Sequence, residues 1–133
     1  MPEKTAFTAG YLGHTPEQLL AIADRMDALV VDIRWSPDSR VPGWRQSYLA
    51  RTLGARYHYV RELGNVCYRV GPPVQIADLA AGLGILRELP SPLILLCACR
   101  DYETCHRRDV GEALRTEGWT VEELLWITEG IDG

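Results

Sequence analysis

Leu93-Ile94-Leu95-Leu96-Cys97-Ala98 and Ala28-Leu29-Val30-Val31-Asp32-Ile33 are the stretches on which the fold turns. Each is a short apolar run without polar alternation, which predicts a strand covered on both faces. Strands of that kind belong to parallel sheets with helices packed on either side.

Working outward, the flanking segments supply those helices. Thr15-Pro16-Glu17-Gln18 places Thr at an N-cap, Pro at the first helical position and Gln where a capping box needs it. It opens a helix from Pro16 to about Met26 that buries Leu19, Leu20, Ala23 and Met26, and a first strand over Ala6 to Tyr11 precedes it. After Ile33 a long polar loop, Arg34 to about Ser47, leads into a short helix over Tyr48 to Leu53, and Arg56 to Val60 alternates as a third strand. Ile76, Leu79, Ala80, Leu83 and Leu86 have helical spacing and predict a helix over Val74 to Leu89, although Gly82 and Gly84 each cost about 1 kcal/mol relative to Ala. Pro90 and Pro92 end it. A last helix over about Thr104 to Glu117 precedes Gly118, and a final strand runs near Thr120 to Trp126. This alternation predicts one α/β domain over residues 1–133, its core at about 5–130, with a three-layer Rossmann-like fold and a mostly parallel sheet.

Composition narrows the function classes. A chain of 133 residues that is 47% hydrophobic builds one core. No run approaches the roughly 20 apolar residues of a membrane span, and Met1-Pro2-Glu3-Lys4 lacks a basic flank followed by an apolar stretch. A cytoplasmic protein with no membrane partner is expected. In a reducing compartment the four cysteines, Cys67, Cys97, Cys99 and Cys105, point to thiolate or metal chemistry and away from a disulfide scaffold. The net charge of −4 argues against a broad basic face for duplex DNA. Of the 14 basic residues only Lys4 is a lysine; the arginines offer planar forks suited to phosphate and carboxylate groups.

Ligands of open parallel sheets bind beyond the carboxyl ends of the strands. Gly10, Tyr11, Gly13 and His14 follow the first predicted strand, Asp32, Arg34, Ser39 and Arg40 the second, Tyr59, Glu62 and Gly64 the third, and Cys97 to Arg107 the fourth. The fourth loop packs three thiols, a histidine and three arginines into the twelve residues from Cys97 to Arg108. With Thr104 or a neighbour as cap, Cys105, His106 and Arg107 occupy the first turn of the last helix. There free N–H groups and the helix dipole favour anions and lower a thiol pKa below about 8.5. Cys105 is therefore a candidate nucleophile, with His106 or His14 as its base; the structural alternative makes Cys97 and Cys105 small core residues. Cys97, Cys99, Cys105 and His106 are also a donor set of the kind that holds zinc. Their C-x-C-x5-C-H spacing is not the usual C-x2-C pair, and adjacent Cys and His on a helix point about 100° apart. Zinc is kept as an alternative, and no resident cofactor is expected.

In the second loop, Asp32 reads as a base or ribose acceptor and Arg34 and Arg40 as phosphate clamps, or Asp32 and Arg34 form a structural ion pair. Trp35 and Trp44 flank this loop and Arg45 and Arg51 continue it. Together they suit stacking on bases, unless the indoles anchor the loop to the core.

Thr8-Ala9-Gly10-Tyr11, Asp32-Ile33-Arg34…Pro37…Ser39-Arg40, Tyr57…Leu63-Gly64 and Leu96-Cys97-Ala98…Cys105-His106-Arg107 resemble, in order and over about Thr8 to Gly130, the bacterial family called domain of unknown function 488. The resemblance implies a Rossmann-like sheet and one site lined by Tyr11, Asp32, Arg34, Ser39, Arg40, Cys97, Cys105, His106 and Arg107. Where that family commonly has an acidic residue after Leu-Cys-Ala, this chain has Cys99, so an acid–base role at that position does not carry over.

These readings converge on an enzyme for a phosphate-bearing, nucleotide-like substrate. Cys105, His106, Asp32 and Tyr11 are its catalytic candidates, and Gly10, His14, Arg34, Ser39, Arg40, Cys97 and Arg107 its binding candidates. The alternatives are a non-catalytic module for single-stranded nucleic acid or a partner protein, a thiolate zinc site, and a rhodanese-like sulfur carrier, for which the expected six-residue cradle around the cysteine is not evident.

Overall fold

The computed structural model describes residues 4–70, 73–99 and 101–127. Five strands, β1 (Thr5–Gly10), β2 (Leu29–Asp32), β3 (Tyr57–Tyr59), β4 (Leu93–Cys97) and β5 (Thr120–Glu123), form one sheet in the order β3-β2-β4-β1-β5. Every pairing is parallel, with Ala6 opposite Leu93, Leu29 opposite Leu93 and Val30 opposite Tyr57. The central strand β4 is buried along its whole length, as its unbroken apolar run predicts.

Four helices cover the two faces. Leu19, Ile22 and Ala23 of α1 (Pro16–Met26) and Leu49 and Leu53 of α2 (Gln46–Leu53) pack with Val30, Ile94 and Leu96 on one side. Leu83 and Leu86 of α3 (Leu79–Glu88) and Val110 and Leu114 of α4 (His106–Thr116) pack with Val31, Leu93 and Leu95 on the other. Alternate residues of one strand thus feed opposite cores, which is why β2 and β4 have no polar face. No described helix is long and apolar enough to cross a membrane.

The α1 boundaries follow the capping box: the Thr15 side chain accepts from Gln18 N at 3.2 Å and the Gln18 side chain accepts from Thr15 N at 2.8 Å. The helix expected over Val74 to Leu89 starts later, at Leu79. Ile76 is taken into an isolated antiparallel bridge with Asn65, and the Asp78 side chain caps the helix by accepting from Ala81 N. Here local side-chain capping overrides apolar periodicity. The last helix likewise opens at His106, because Tyr102–Thr104 form a separate 3-10 turn and Cys105 takes the cap position with extended backbone, φ −100° and ψ 145°.

Candidate functional site

The helices after β1 and β2 pack on one face of the sheet and the helix after β4 on the other. The loops that leave the carboxyl ends of these neighbouring strands therefore diverge, and the gap between them is where ligands enter this architecture. A cavity of about 450 Å³ opens there, walled by Tyr11 after β1, Trp35, Ser36, Ser39 and Arg40 after β2, Tyr68 after β3 and Cys99 after β4. A second cavity of about 410 Å³ shares Asn65, Tyr68 and Cys99 with it and reaches Cys105 and His106. Both lie within the roughly 300–1,000 Å³ typical of small-molecule sites.

Asp32 and Arg34 form one closed unit beneath the first lobe. Arg34 Nε and Nη2 donate to the two Asp32 carboxylate oxygens at 2.8 and 2.6 Å, and Arg34 Nη1 donates to the Trp44 carbonyl at 2.6 Å. Tyr57 Oη donates to Asp32 Oδ2 at 2.6 Å. Asp32 is fully buried and Arg34 nearly so. Burial alone would discharge Arg34, but the hydrogen bonds and charge of Asp32 outweigh it and hold the guanidinium charged. Burial, with the Asp32 charge beside it, keeps the Tyr57 phenol protonated. This is the structural ion pair of the sequence reading, and it leaves both groups committed to each other. Trp44 is buried and stacked on Tyr11, ring centroids 4.3 Å apart, so it anchors the loop and offers no stacking platform. Trp35 is half-buried on the cavity wall and carries the Arg61 guanidinium over its ring at 3.7 Å. Ser39 stands on the same wall with Arg40, whose side chain is exposed at the rim.

Two glycines let the loops close on the cavity. A Cβ at Gly10 would run into the Cys99 carbonyl, and one at Gly64 would lie 2.6 Å from Trp35 Cα. Only glycine permits such backbone approaches. Gly10 is thus the residue that seats the Cys97 to Cys99 segment against β1.

At the end of β4 the Sγ atoms of Cys97, Cys99 and Cys105 lie within 4.8 Å of one another, with Cys97 and Cys105 buried at an Sγ–Sγ distance of 2.8 Å and Cys99 exposed. Cys67, half-buried on the second lobe, stands outside this cluster. His106 Nε2 sits 2.7 Å from the Ile33 carbonyl. A carbonyl only accepts, so Nε2 carries the proton, and the Nδ1 lone pair is left 3.7 Å from Cys105 Sγ. Burial lowers the imidazole below its ordinary range and keeps it neutral.

The thiols divide unequally. Burial pushes Cys97 well above the ordinary thiol range, while hydrogen bonds donated by Cys105 and Cys97 draw Cys99 down. For Cys105 the hydrogen bond from Cys97 favours the thiolate, but donation to Cys99 and burial outweigh it and raise the group. The expectation of a lowered Cys105 is corrected here: the Arg107 backbone N–H at the helix terminus does favour the thiolate, but the neighbouring Cys99 and burial outweigh it and leave the thiol above its ordinary range.

Arg107 is 1% exposed, donates from Nε and Nη2 to the Glu123 carboxylate and from Nη1 to the Cys99 carbonyl and Cys97 Sγ at 2.9 and 3.3 Å. Although burial opposes it, the Glu123 hydrogen bonds hold its charge. His14 is not brought to the thiols. It stacks on Trp126 at 4.2 Å, in a separate small cavity lined by Gly10, Arg107 and Glu123. Arg100 lies outside the described residues.

Sequence reading passed over Asn65, Tyr68 and Glu123. The first two sit after the shortest strand, in a loop without a periodic or capping signal. Glu123 ends an edge strand remote in sequence from Arg107, and only the β1–β5 pairing brings it near. No family model, characterised protein or solved structure matches this chain.

Proposed function

We propose that this chain is an enzyme acting on a phosphate-bearing, nucleotide-like substrate, a Cys/His-dependent hydrolase or transferase, and that it belongs with the domain of unknown function 488 family it resembles. The observation that carries the reading is the pair of adjoining cavities at the carboxyl edge of the sheet, which share Asn65, Tyr68 and Cys99 on their walls. One lobe is walled by aromatic rings, hydroxyls and a guanidinium (Tyr11, Trp35, Tyr68, Ser36, Ser39, Arg40), the other by sulfur and imidazole (Cys99, Cys105, His106).

The first lobe suits a planar base against Trp35 and Tyr68, with an anionic group at Arg40 and the serine hydroxyls. Arg34 and Arg107 contribute indirectly, because their guanidinium groups are held by Asp32 and Glu123. A ligand seated in this way ends at Cys99, one of the three residues both lobes share, and there it meets the thiol cluster. Cytoplasmic location belongs to the same reading, since the cluster needs its thiols reduced.

The test is thermal denaturation with a panel of nucleoside mono- and diphosphates against inorganic phosphate, together with mass spectrometry of cysteine alkylation. One nucleotide class raises Tm and shields Cys99, and Arg40→Ala weakens its binding about tenfold, or 1.4 kcal/mol. If no nucleotide shifts Tm, while single-stranded oligonucleotides bind with a steep salt dependence that survives Cys99→Ser, the chain is a binding module and the enzyme reading fails.

A further inference from the structure

Three sulfurs from two chain segments meet at one point, and packing alone does not require it: a buried core is filled as well by Val or Ala, and Cys99 is exposed. Among the described residues, Cys97, Cys99 and Cys105 are the only group of three or more His, Cys, Asp or Glu donors that converge in this way. The sequence objection to a metal here was the backbone, since consecutive helical residues diverge by about 100°. The structure removes that objection. Cys105 lies outside the helix, in extended conformation, and His106 begins it, so the two side chains return toward each other with Nδ1 3.7 Å from Sγ.

We propose that Cys97, Cys99 and Cys105, with His106 Nδ1 as the fourth donor, bind one zinc ion. The inference rests on the reading of this cleft as the reactive centre and names the chemistry the cluster supplies. A tetrahedral site with Zn–S near 2.3 Å and Zn–N near 2.0 Å sets its donor atoms roughly 3.6–3.8 Å apart. The Cys105–His106 pair already has that spacing, and the Cys97–Cys105 pair opens from 2.8 Å by about 1 Å as the ion enters.

The surroundings match those of a metal-bound imidazole. His106 gives its Nε2–H to the Ile33 carbonyl, which fixes the ring and the tautomer that leaves Nδ1 unprotonated. Arg107 Nη1 donates to Cys97 Sγ and supplies positive charge beside a centre whose three thiolates exceed the two charges of the ion. On binding, any proton still held on a sulfur is released to solvent and each of the three sulfurs forms one Zn–S bond as a thiolate, with no change of oxidation state.

The full chain, purified reduced and without chelator, is assayed by elemental analysis and native mass spectrometry, and the metal-free protein is titrated with Zn²⁺ and Co²⁺. One ion per chain is expected, with the visible absorption of tetrahedral, sulfur-ligated Co²⁺. Cys99→Ser, at an exposed position, lowers zinc affinity at least tenfold while keeping the fold; Cys67→Ser, outside the cluster, leaves it unchanged. A folded apo protein that gives no tetrahedral Co²⁺ spectrum, or equal zinc affinity in the two serine variants, overturns the proposal. Repeating the nucleotide panel on metal-free and zinc-loaded protein separates the two claims. Stabilisation by nucleotides with no zinc uptake leaves the cleft and removes the ion. Zinc uptake with no nucleotide effect leaves the ion and removes the substrate reading.

Discussion

The ends of β2 and β4 are neighbours in the sheet and both carry buried polar groups, yet they are built on opposite principles. At the end of β2, Asp32, Arg34, Tyr57 and the Trp44 carbonyl use one another up. At the end of β4, the strong hydrogen bonds go to the supporting groups, His106 to Ile33 and Arg107 to Glu123 and the Cys99 carbonyl, while the sulfurs meet each other, a neighbouring imidazole, one guanidinium N–H and the Arg107 backbone N–H. Among the described residues no buried side-chain nitrogen or oxygen lacks a partner. Sulfur is a weak hydrogen-bonding atom, so the two buried sulfurs and the exposed Cys99 beside them keep much of their bonding capacity unspent. On the proposed reading the first region is scaffold and the second carries the chemistry, and a buried arginine stands in each without distinguishing them.

The largest expected effect breaks the scaffold side. Asp32→Ala leaves Arg34 charged and buried, with the Trp44 carbonyl at 2.6 Å and the Tyr11 hydroxyl at 3.4 Å but no counter-charge, and removal of one partner of a buried pair costs about 3–5 kcal/mol. Urea denaturation should show a midpoint lowered by that amount divided by the slope, with the slope unchanged. A loss below about 1 kcal/mol would mean that water reaches the pair, and the contrast between the two regions would collapse.

Gly10→Ala comes next and acts on the β4 side. Its Cβ has no space against the Cys99 carbonyl and comes within 2.9 Å of Arg107 Nη1, so the loop after β4 is displaced. Overpacking of this kind costs about 1–3 kcal/mol. The informative readout is the alkylation rate of Cys99 relative to Cys67, which should change in this variant if Gly10 seats the cluster and stay constant if the substitution only loosens the sheet.

Glu123→Ala separates support from reactivity. Arg107 loses its carboxylate but keeps the Cys99 carbonyl, and a hydrogen bond to a charged group is worth about 1.5–3 kcal/mol. Because Glu123 is 39% exposed, the lower end is expected, water replacing part of what is lost. A salt-insensitive loss at the upper end would show that this pair is as dry as Asp32–Arg34.

How much of this was readable beforehand follows the same division. Fold class, the two buried strands and α1 were legible because unbroken apolar runs and a capping box are local signals. Tyr11, Ser39, Arg40 and the thiol loop were placed at one edge because parallel topology puts every strand end there. What local signals could not show was commitment: nothing near Arg34 in sequence says that Trp44 and Tyr57 close around Asp32, and nothing near Arg107 says that Glu123 of the edge strand meets it. Nor is Cys105 legible as a cap. Its identity disfavours that position, and only the separate turn at Tyr102–Thr104 displaces the helix start past it.

The smallest effect on stability is the sharpest test of the contrast. Cys99 is exposed, ends no strand and fills no core, and a surface substitution away from caps and ion pairs changes stability by no more than about 0.5 kcal/mol. Cys99→Ser should therefore melt with the parent protein while losing the chemistry of the cleft, whether read as zinc uptake or as nucleotide turnover. Asp32→Asn should do the reverse: it lowers stability by breaking charge complementarity, yet leaves metal uptake in whatever fraction stays folded, because Asp32 touches no sulfur. If the two variants instead fail together, the ends of β2 and β4 are one coupled unit, and the Asp32–Arg34 pair belongs to the site it was taken only to support.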